Sequence, residues 1–284
     1  MRNLDEENEL RELVETLDSE RSTPSRATID AFAEQFLSAL ERGHIRAASP
    51  NGNQWIVHPW VKRGIILLFR YGVLHPQPFG GEVFYDKHTL PPRRLWLSDR
   101  VRLVPGGSAI RRGAFVAPGV ICMPPMYINI GAYVGEHTMV DSHALIGTCA
   151  QIGARVHISA ATQIGGVLEP AQAQPVIIED DAFIGGNVGI YEGVLVRSRA
   201  VIAAGVILTA SVPVYDLVHE RILRATSDLP LEIPAGAVVV PGTRQLRDSS
   251  FSRKHSLQAA CALIVKYRDE RTDAKTALEA TLRM

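Results

Sequence analysis

The chain has 284 residues, enough for one large domain or for two or three small ones. Hydrophobic residues make up 46% and charged residues 21%, and 30 basic side chains cancel 30 acidic ones, so no global field draws nucleic acid or an anionic membrane. Three scattered cysteines, Cys122, Cys149 and Cys261, argue against a disulfide framework or a cysteine zinc site and read as small buried hydrophobes.

Met1 to Glu20 is acidic and lacks the apolar stretch of a signal peptide. The run Gly64–Phe69 is far shorter than the roughly 18 apolar residues that cross a bilayer. A cytoplasmic protein is expected. Residues 1–105 read as an N-terminal α-rich domain. Leu4, Leu10, Leu13, Val14 and Leu17 recur at helical spacing. Thr28 is placed to cap a second helix carrying Ile29, Phe32, Phe36, Leu37 and Leu40, which ends near Gly43. Asn51-Gly52 marks a turn before a short strand, Gln54–Val57. Pro59–Arg70 reads as a helix or a strand. Residues 71–100 hold seven prolines and glycines and read as loop with short strand.

From Ile110 the texture changes. An aliphatic residue falls at every sixth position: Ile110, Val116, Cys122, Ile128, Val134, Val140, Ile146, Ile152, Ile158 and Ile164. The phase breaks over 165–177, which implies an excursion loop, and resumes at Ile178, Ile184, Ile190, Val196, Ile202 and Leu208. This is a hexapeptide repeat. It predicts a left-handed parallel β-helix over about 106–242, in which three hexapeptides make one triangular coil and residue i stacks on residue i+18. The aliphatic positions point inward, and stability adds along the stack. Gly or Ala often follows the aliphatic position, as at Ala117, Gly135, Gly147, Gly153 and Gly165; small residues are expected to let the chain turn. A second, hairpin-like excursion is expected over 211–232, and Ile233–Val240 reads as a further rung. Residues 243–284 form a C-terminal α/β segment, with a strand over Ala262–Tyr267 and a terminal helix containing Ala277, Leu278 and Leu282.

A fold alone gives no function. Several runs are more specific. Gly131-Ala-Tyr-Val-Gly-Glu-His-Thr-Met-Val-Asp141, Gly147-Thr-Cys-Ala-Gln-Ile-Gly153, Ile164-Gly-Gly-Val-Leu-Glu-Pro170, Ile177-Ile-Glu-Asp180 and Pro234–Val240 together resemble the tetrahydrodipicolinate N-succinyltransferase family of lysine biosynthesis. Gly52–Trp60 with Lys62, Ala262–Lys266 and Asp273-Ala-Lys275 extend the resemblance over nearly the whole chain. The resemblance implies a homotrimer with sites between subunits, small-molecule substrates and an acyl-CoA co-substrate, succinyl-CoA or acetyl-CoA. Asp141 matches the family's catalytic, substrate-binding aspartate, and Arg102 a substrate-binding arginine. Ala204-Gly205 matches a region along which coenzyme A lies. Arg244, Arg247, Arg253 and Lys254 form a basic stretch suited to phosphates. Such chemistry needs a base for the amine, donors for the oxyanion and cations for carboxylates.

The pattern then departs from the family. A Gly-Ala-Arg-Ser-Glu-Val run becomes Gly185-Gly-Asn-Val-Gly-Ile190, so Asn187 stands for the arginine and Gly189 for a glutamate. Asp-Glu-Gly becomes Gly135-Glu136-His137, Asp-Thr-Trp becomes Asp141-Ser142-His143, and Ser-Gly-Gly becomes Ser159-Ala160-Ala161. These changes point to a rebuilt acceptor or acyl pocket, as in a paralogue from specialised metabolism such as the tabtoxin-pathway homologue. His143, His137, His157 and Glu192 are candidates for the missing base. A three-histidine zinc site would need a second chain, because His137 and His143 fall on different corners; no metal is expected. A scaffold whose site has decayed is the non-enzymatic alternative.

Overall fold

A computed structural model describes residues 2–19, 23–79, 81–246 and 249–269. The helix expected around Ala277, Leu278 and Leu282 lies outside the described residues, as does Arg247. The N-terminal region carries helices α1 (Arg2–Ser19), α2 (Arg26–Glu41) and α3 (Pro59–Tyr71). The α2 cap is Ser25, whose side chain accepts the Thr28 N–H, so Thr28 sits inside the first turn rather than capping it. Pro59 opens α3 at a position where a missing N–H costs nothing, and its buried face carries Trp60, Val61, Ile65 and Leu68. Phe36 of α2 lies flat against Gly64 of α3, closer than any Cβ would allow.

Strands β1 (Ala48–Asn51) and β2 (Gln54–Val57) form a hairpin around Asn51-Gly52. The segment read as loop with short strand carries a second antiparallel hairpin, β3 (Leu74–Phe79) and β4 (Glu82–Lys87). Pro76 and Pro78 fit in it because a two-stranded ribbon leaves edge positions that need no N–H.

The rest is a three-sided prism. Face I stacks Arg102–Leu103, Ile121–Cys122, Met139–Val140, His157–Ile158, Phe183–Ile184, Val201–Ile202 and Val238–Val239 in parallel. Face II stacks Ala109–Ile110, Tyr127–Ile128, Leu145–Ile146, Gln163–Ile164, Gly189–Ile190 and Ile207–Leu208. Face III runs from Phe115–Val116 through Tyr133–Val134, Gln151–Ile152, Ile177–Ile178 and Leu195–Val196 to Glu232–Ile233. The second residue of each pair points inward; all the inward positions from Ile110 to Leu208 are buried in one cluster. Burial pushes the Cys122 thiol in that ladder up to about 12, so it is an inert filler. The loop between Ile164 and Ile177 and the antiparallel pair Val214–Asp216 with Arg221–Leu223 are the two excursions.

The corners refine the small-residue expectation. Their left-handed position tolerates side chains: His137, His143, Arg155, Asn187 and Glu192 all have φ between 53° and 57° or at 62°. Glycine recurs after the inward aliphatic residue where the next coil presses close. A Cβ on Gly135 would lie 2.5 Å from the Gly153 carbonyl carbon, and one on Gly185 would lie 2.6 Å from Ala204 N. Close approach of successive coils, rather than backbone conformation, selects glycine there.

The N-terminal region clamps one side of the prism. Leu37, Leu40 and Ile65 pack on the corner between faces II and III, against Ile130 and Cys149. Buried Lys62 donates to the Ala173 carbonyl of the first excursion at 2.6 Å. Across face III, Ala48 packs with Ile177 and Leu195, and Trp55 Nε1 donates to Glu179 at 3.0 Å. Outward side chains on the other two faces remain partly exposed, including Met139, Phe183 and Val201 on face I and Leu145 and Gln163 on face II.

Candidate active site

The coil geometry brings five of the predicted site residues, Asp141, His143, Asn187, Ala204 and Gly205, to one edge. The corner between faces I and II is built from Asp141-Ser142-His143, Ser159-Ala160-Ala161, Gly185-Gly186-Asn187 and Ala203-Ala204-Gly205, stacked coil on coil. Main-chain bonds fix the stack: the N–H groups of Ala161, Asn187 and Gly205 donate to the carbonyls of Ser142, Ala160 and Gly186 at 2.8, 3.0 and 3.0 Å. His143, Asn187 and Gly205 therefore form one exposed column, with Asp141 two residues before His143. Coils are about 4.8 Å apart, so His143 and Asn187 lie about 10 Å apart along the edge.

Asp141 is half-buried, and one of its carboxylate oxygens accepts the Ser142 N–H at 2.7 Å. Arg102 is exposed on face I, two coils from Met139 and hence about 10 Å from Asp141 along the stack. A small molecule with charged ends can span that gap. Small side chains at Ala160, Ala161, Gly186, Ala204 and Gly205 leave a smooth strip of exposed backbone running up the edge.

Above this edge the chain does something new. Every earlier face I strand turns at the corner, but Ala237–Gln245 runs straight on and pairs with Gln258–Tyr267 beyond it. The resulting ribbon overhangs the corner one coil above Ala204-Gly205. Its tip carries Arg244 and helix α4 (Ser250–Lys254), where Arg253 and Lys254 are exposed. Arg244, Arg253 and Lys254 are thus on the part of the ribbon that runs beyond the corner.

On face II, Gly189 is buried beneath Tyr191, whose ring covers the place of any side chain at 189. Gln163, one coil below, donates to the His143 and Ala161 carbonyls at 3.3 and 3.4 Å. The two remaining histidine candidates sit elsewhere. His137 is on the corner between faces III and I, over Gly119. His157 is buried on face I, with its ring stacked on Phe183 at 4.7 Å. Glu192 is on the corner between faces II and III and accepts the Ala210 N–H at 2.8 Å. Within one chain it does not meet Asp141. Among the described residues, no three His, Cys, Asp or Glu side chains gather as a metal site would require.

Comparisons with known proteins identify the family. A family model described as tetrahydrodipicolinate N-succinyltransferase N-terminal matches residues 7–71, and one for the hexapeptide repeat of succinyl-transferase matches 175–210. The 2,3,4,5-tetrahydropyridine-2,6-dicarboxylate N-succinyltransferase of Acinetobacter baylyi is 44% identical over 263 residues, covering 90% of each chain. The enzyme of the same name from Burkholderia ambifaria is 42% identical over 285 aligned positions, covering 97% of this chain and 98% of that one. The chain belongs to the tetrahydrodipicolinate N-succinyltransferase family. A Campylobacter jejuni crystal structure provisionally named a 2,3,4,5-tetrahydropyridine-2-carboxylate N-succinyltransferase is 18% identical, with a TM-score of 0.45, and covers 82% of this chain and 62% of that one.

Family membership leaves other features unassigned. A groove of about 680 Å³ opens where the first hairpin meets face III, lined by Arg46, Trp55, Phe115, Tyr133, Glu136 and Asp180. The Arg46 guanidinium lies 3.5 Å from the Tyr133 ring centre and donates to Gln151 at 3.0 Å. Nothing in the local sequence around Arg46 signals this, because its partners are about 90 and 105 residues away. Tyr191 was also missed, although a large ring directly after an inward aliphatic residue broke the small-residue pattern.

Proposed function

We propose that this chain is an acyl-CoA-dependent N-acyltransferase acting on the amino group of tetrahydrodipicolinate or a closely related amino-dicarboxylate. The observation that carries the reading is the edge itself: Asp141, His143, Asn187 and Gly205 stacked on one smooth corner, in a chain over 40% identical to named N-succinyltransferases. Asp141 takes the proton from the acceptor amine, whose nitrogen attacks the thioester carbonyl. The tetrahedral oxyanion collapses, the C–S bond breaks, and the thiolate leaves and picks up a proton as free coenzyme A. A positioned base of this kind contributes roughly 10²–10⁴-fold. Arg102 binds a carboxylate of the acceptor. The strip at Ala160, Gly186, Ala204 and Gly205 seats the pantetheine arm, and Arg244, Arg253 and Lys254 are the cations offered to its phosphates.

The working unit is a homotrimer of cytoplasmic subunits, supported by the partly exposed apolar side chains on faces I and II. Across such an interface Glu192 of one subunit can approach the Asp141 edge of the next. His143 is the second candidate base. A different reading, favoured by Gly189 and Asn187, is a paralogue that uses acetyl-CoA or another acceptor. A thiol-release assay crossing succinyl-CoA and acetyl-CoA with tetrahydrodipicolinate and related amino acids decides between them. Strong succinyl transfer to tetrahydrodipicolinate removes the paralogue; thiol release with none of the pairs removes the transferase.

A further inference from the structure

Tyr191 is held in an unusual way. It follows the inward Ile190, at a position where a neighbouring coil leaves little room, and its ring turns back along the outside of face II. There it lies over two glycines. A Cβ on Gly165 would come 2.8 Å from Tyr191 Cδ1. A Cβ on Gly189 would come 2.5 Å from Tyr191 Cε2 and 2.9 Å from the phenolic oxygen, with Ile207 Cδ1 at 2.9 Å on the far side. Any side chain at 165 or 189 displaces the ring, so the three residues form a matched set. The Tyr191 N–H is pinned to the Leu208 carbonyl at 3.0 Å, so the backbone cannot carry the ring elsewhere.

The ring places a phenolic hydroxyl on the same face that the Asp141 edge borders. Gly189 is two residues from Asn187, about 7 Å along an extended chain. Register pairing sets Gln163 and Ile207 on either side of Gly189. The side chains that flank Gly189 on the neighbouring coils, Gln163 and Ile207, carry no charge. Glu192, the next residue in the chain, is turned to the Ala210 N–H. A charged amine is drawn to Asp141 at the edge. Beyond it lies a shelf with a phenol and an amide and no acid in its floor, which suits an anionic oxygen and not a cation.

We propose that Tyr191 is the specificity-determining residue of this site, and that its hydroxyl donates a hydrogen bond to a carboxylate of the bound substrates. The inference rests on the transferase reading above. The carboxylate comes from the acceptor or from a succinyl group, and the test separates the two sources. Thiol release is measured with succinyl-CoA and with acetyl-CoA, each against 2-aminopimelate, which has two carboxylates, and 2-aminoheptanoate, which has one.

Tyr191→Phe keeps the ring over both glycines and removes only the hydroxyl. It raises KM roughly three- to tenfold for the substrate bearing the recognised carboxylate, with kcat within about twofold. The penalty follows 2-aminopimelate under both donors if the acceptor supplies the carboxylate, and follows succinyl-CoA with both acceptors if the acyl group does. Gly189→Ala should also impair the wild-type chain and be tolerated in a Tyr191→Ala background. Equal KM values for Tyr191→Phe and wild type across all four pairs overturn the proposal while leaving the transferase intact. A wild-type chain that releases no thiol overturns both.

Discussion

Replacing Asp141 by asparagine separates its chemical role from its structural one. In the fold the carboxylate holds the corner through a single bond, accepting the Ser142 N–H at 2.7 Å. The asparagine carbonyl oxygen can accept the same N–H, so what is lost structurally is the charge on one half-buried hydrogen bond, about 1 kcal/mol. For a chain of this size that lowers Tm by no more than about 2–4 °C. If Asp141 is the base, kcat falls by roughly 10²–10⁴, because the amide cannot take a proton. KM for the acyl-CoA stays within about threefold, since the backbone strip that seats it does not change. Thiol release and thermal unfolding on the same preparation read both numbers. A kcat within threefold of wild type, at unchanged Tm, would refute the assignment of Asp141 as base.

His143→Asn keeps a residue suited to the left-handed corner and lowers kcat less than tenfold if Asp141 takes the proton; a loss as large as that of Asp141→Asn makes His143 the base. Arg46→Ala removes the stacking on Tyr133 and takes the Arg46 donor from the Oε1 of buried Gln151, which costs about 2–3 kcal/mol in urea unfolding while kcat stays near wild type. Burial alone would raise the Asp216 carboxyl. Hydrogen bonds from His219, Tyr267 and Arg221 outweigh burial and hold it well below the usual carboxylate range. The unfolded chain therefore binds that proton first, so the contribution is complete above the unfolded value of about 4 and fades as pH falls below it. Asp216→Asn should cost roughly 2–3 kcal/mol at pH 7 and flatten the acid limb of a stability-against-pH curve; an unchanged limb would exclude Asp216 as its source.

The prism was legible because its cause is local and repeated. Each inward position must be aliphatic to bury against the coil below it, so the period of six is written at Ile110, Val134, Ile158, Ile184 and Ile202 alike. The excursions were legible for the same reason, as gaps in that period. What was not legible depended on partners far away in the chain. The clamp of Arg46 on Tyr133 and Gln151 joins segments with no common pattern, and only the folded chain brings them together.

The candidate site shows the same division more sharply. Stacking is part of the repeat, so the sequence carried the rule that puts corner residues of successive coils on one edge. It could not say what lies beside that edge. Gly189 read in sequence as a missing carboxylate, and a missing side chain ordinarily leaves a hole. In the fold there is no hole: Tyr191 occupies it, and the same ring passes over Gly165. The substitution at 189 is thus half of an exchange whose other half, two residues on, has the opposite size. With Tyr191 as the proposed recognising group, that pairing makes an apparent loss of function a change from an acid to a neutral donor, and it makes the charge of the preferred substrate the quantity on which the proposal stands.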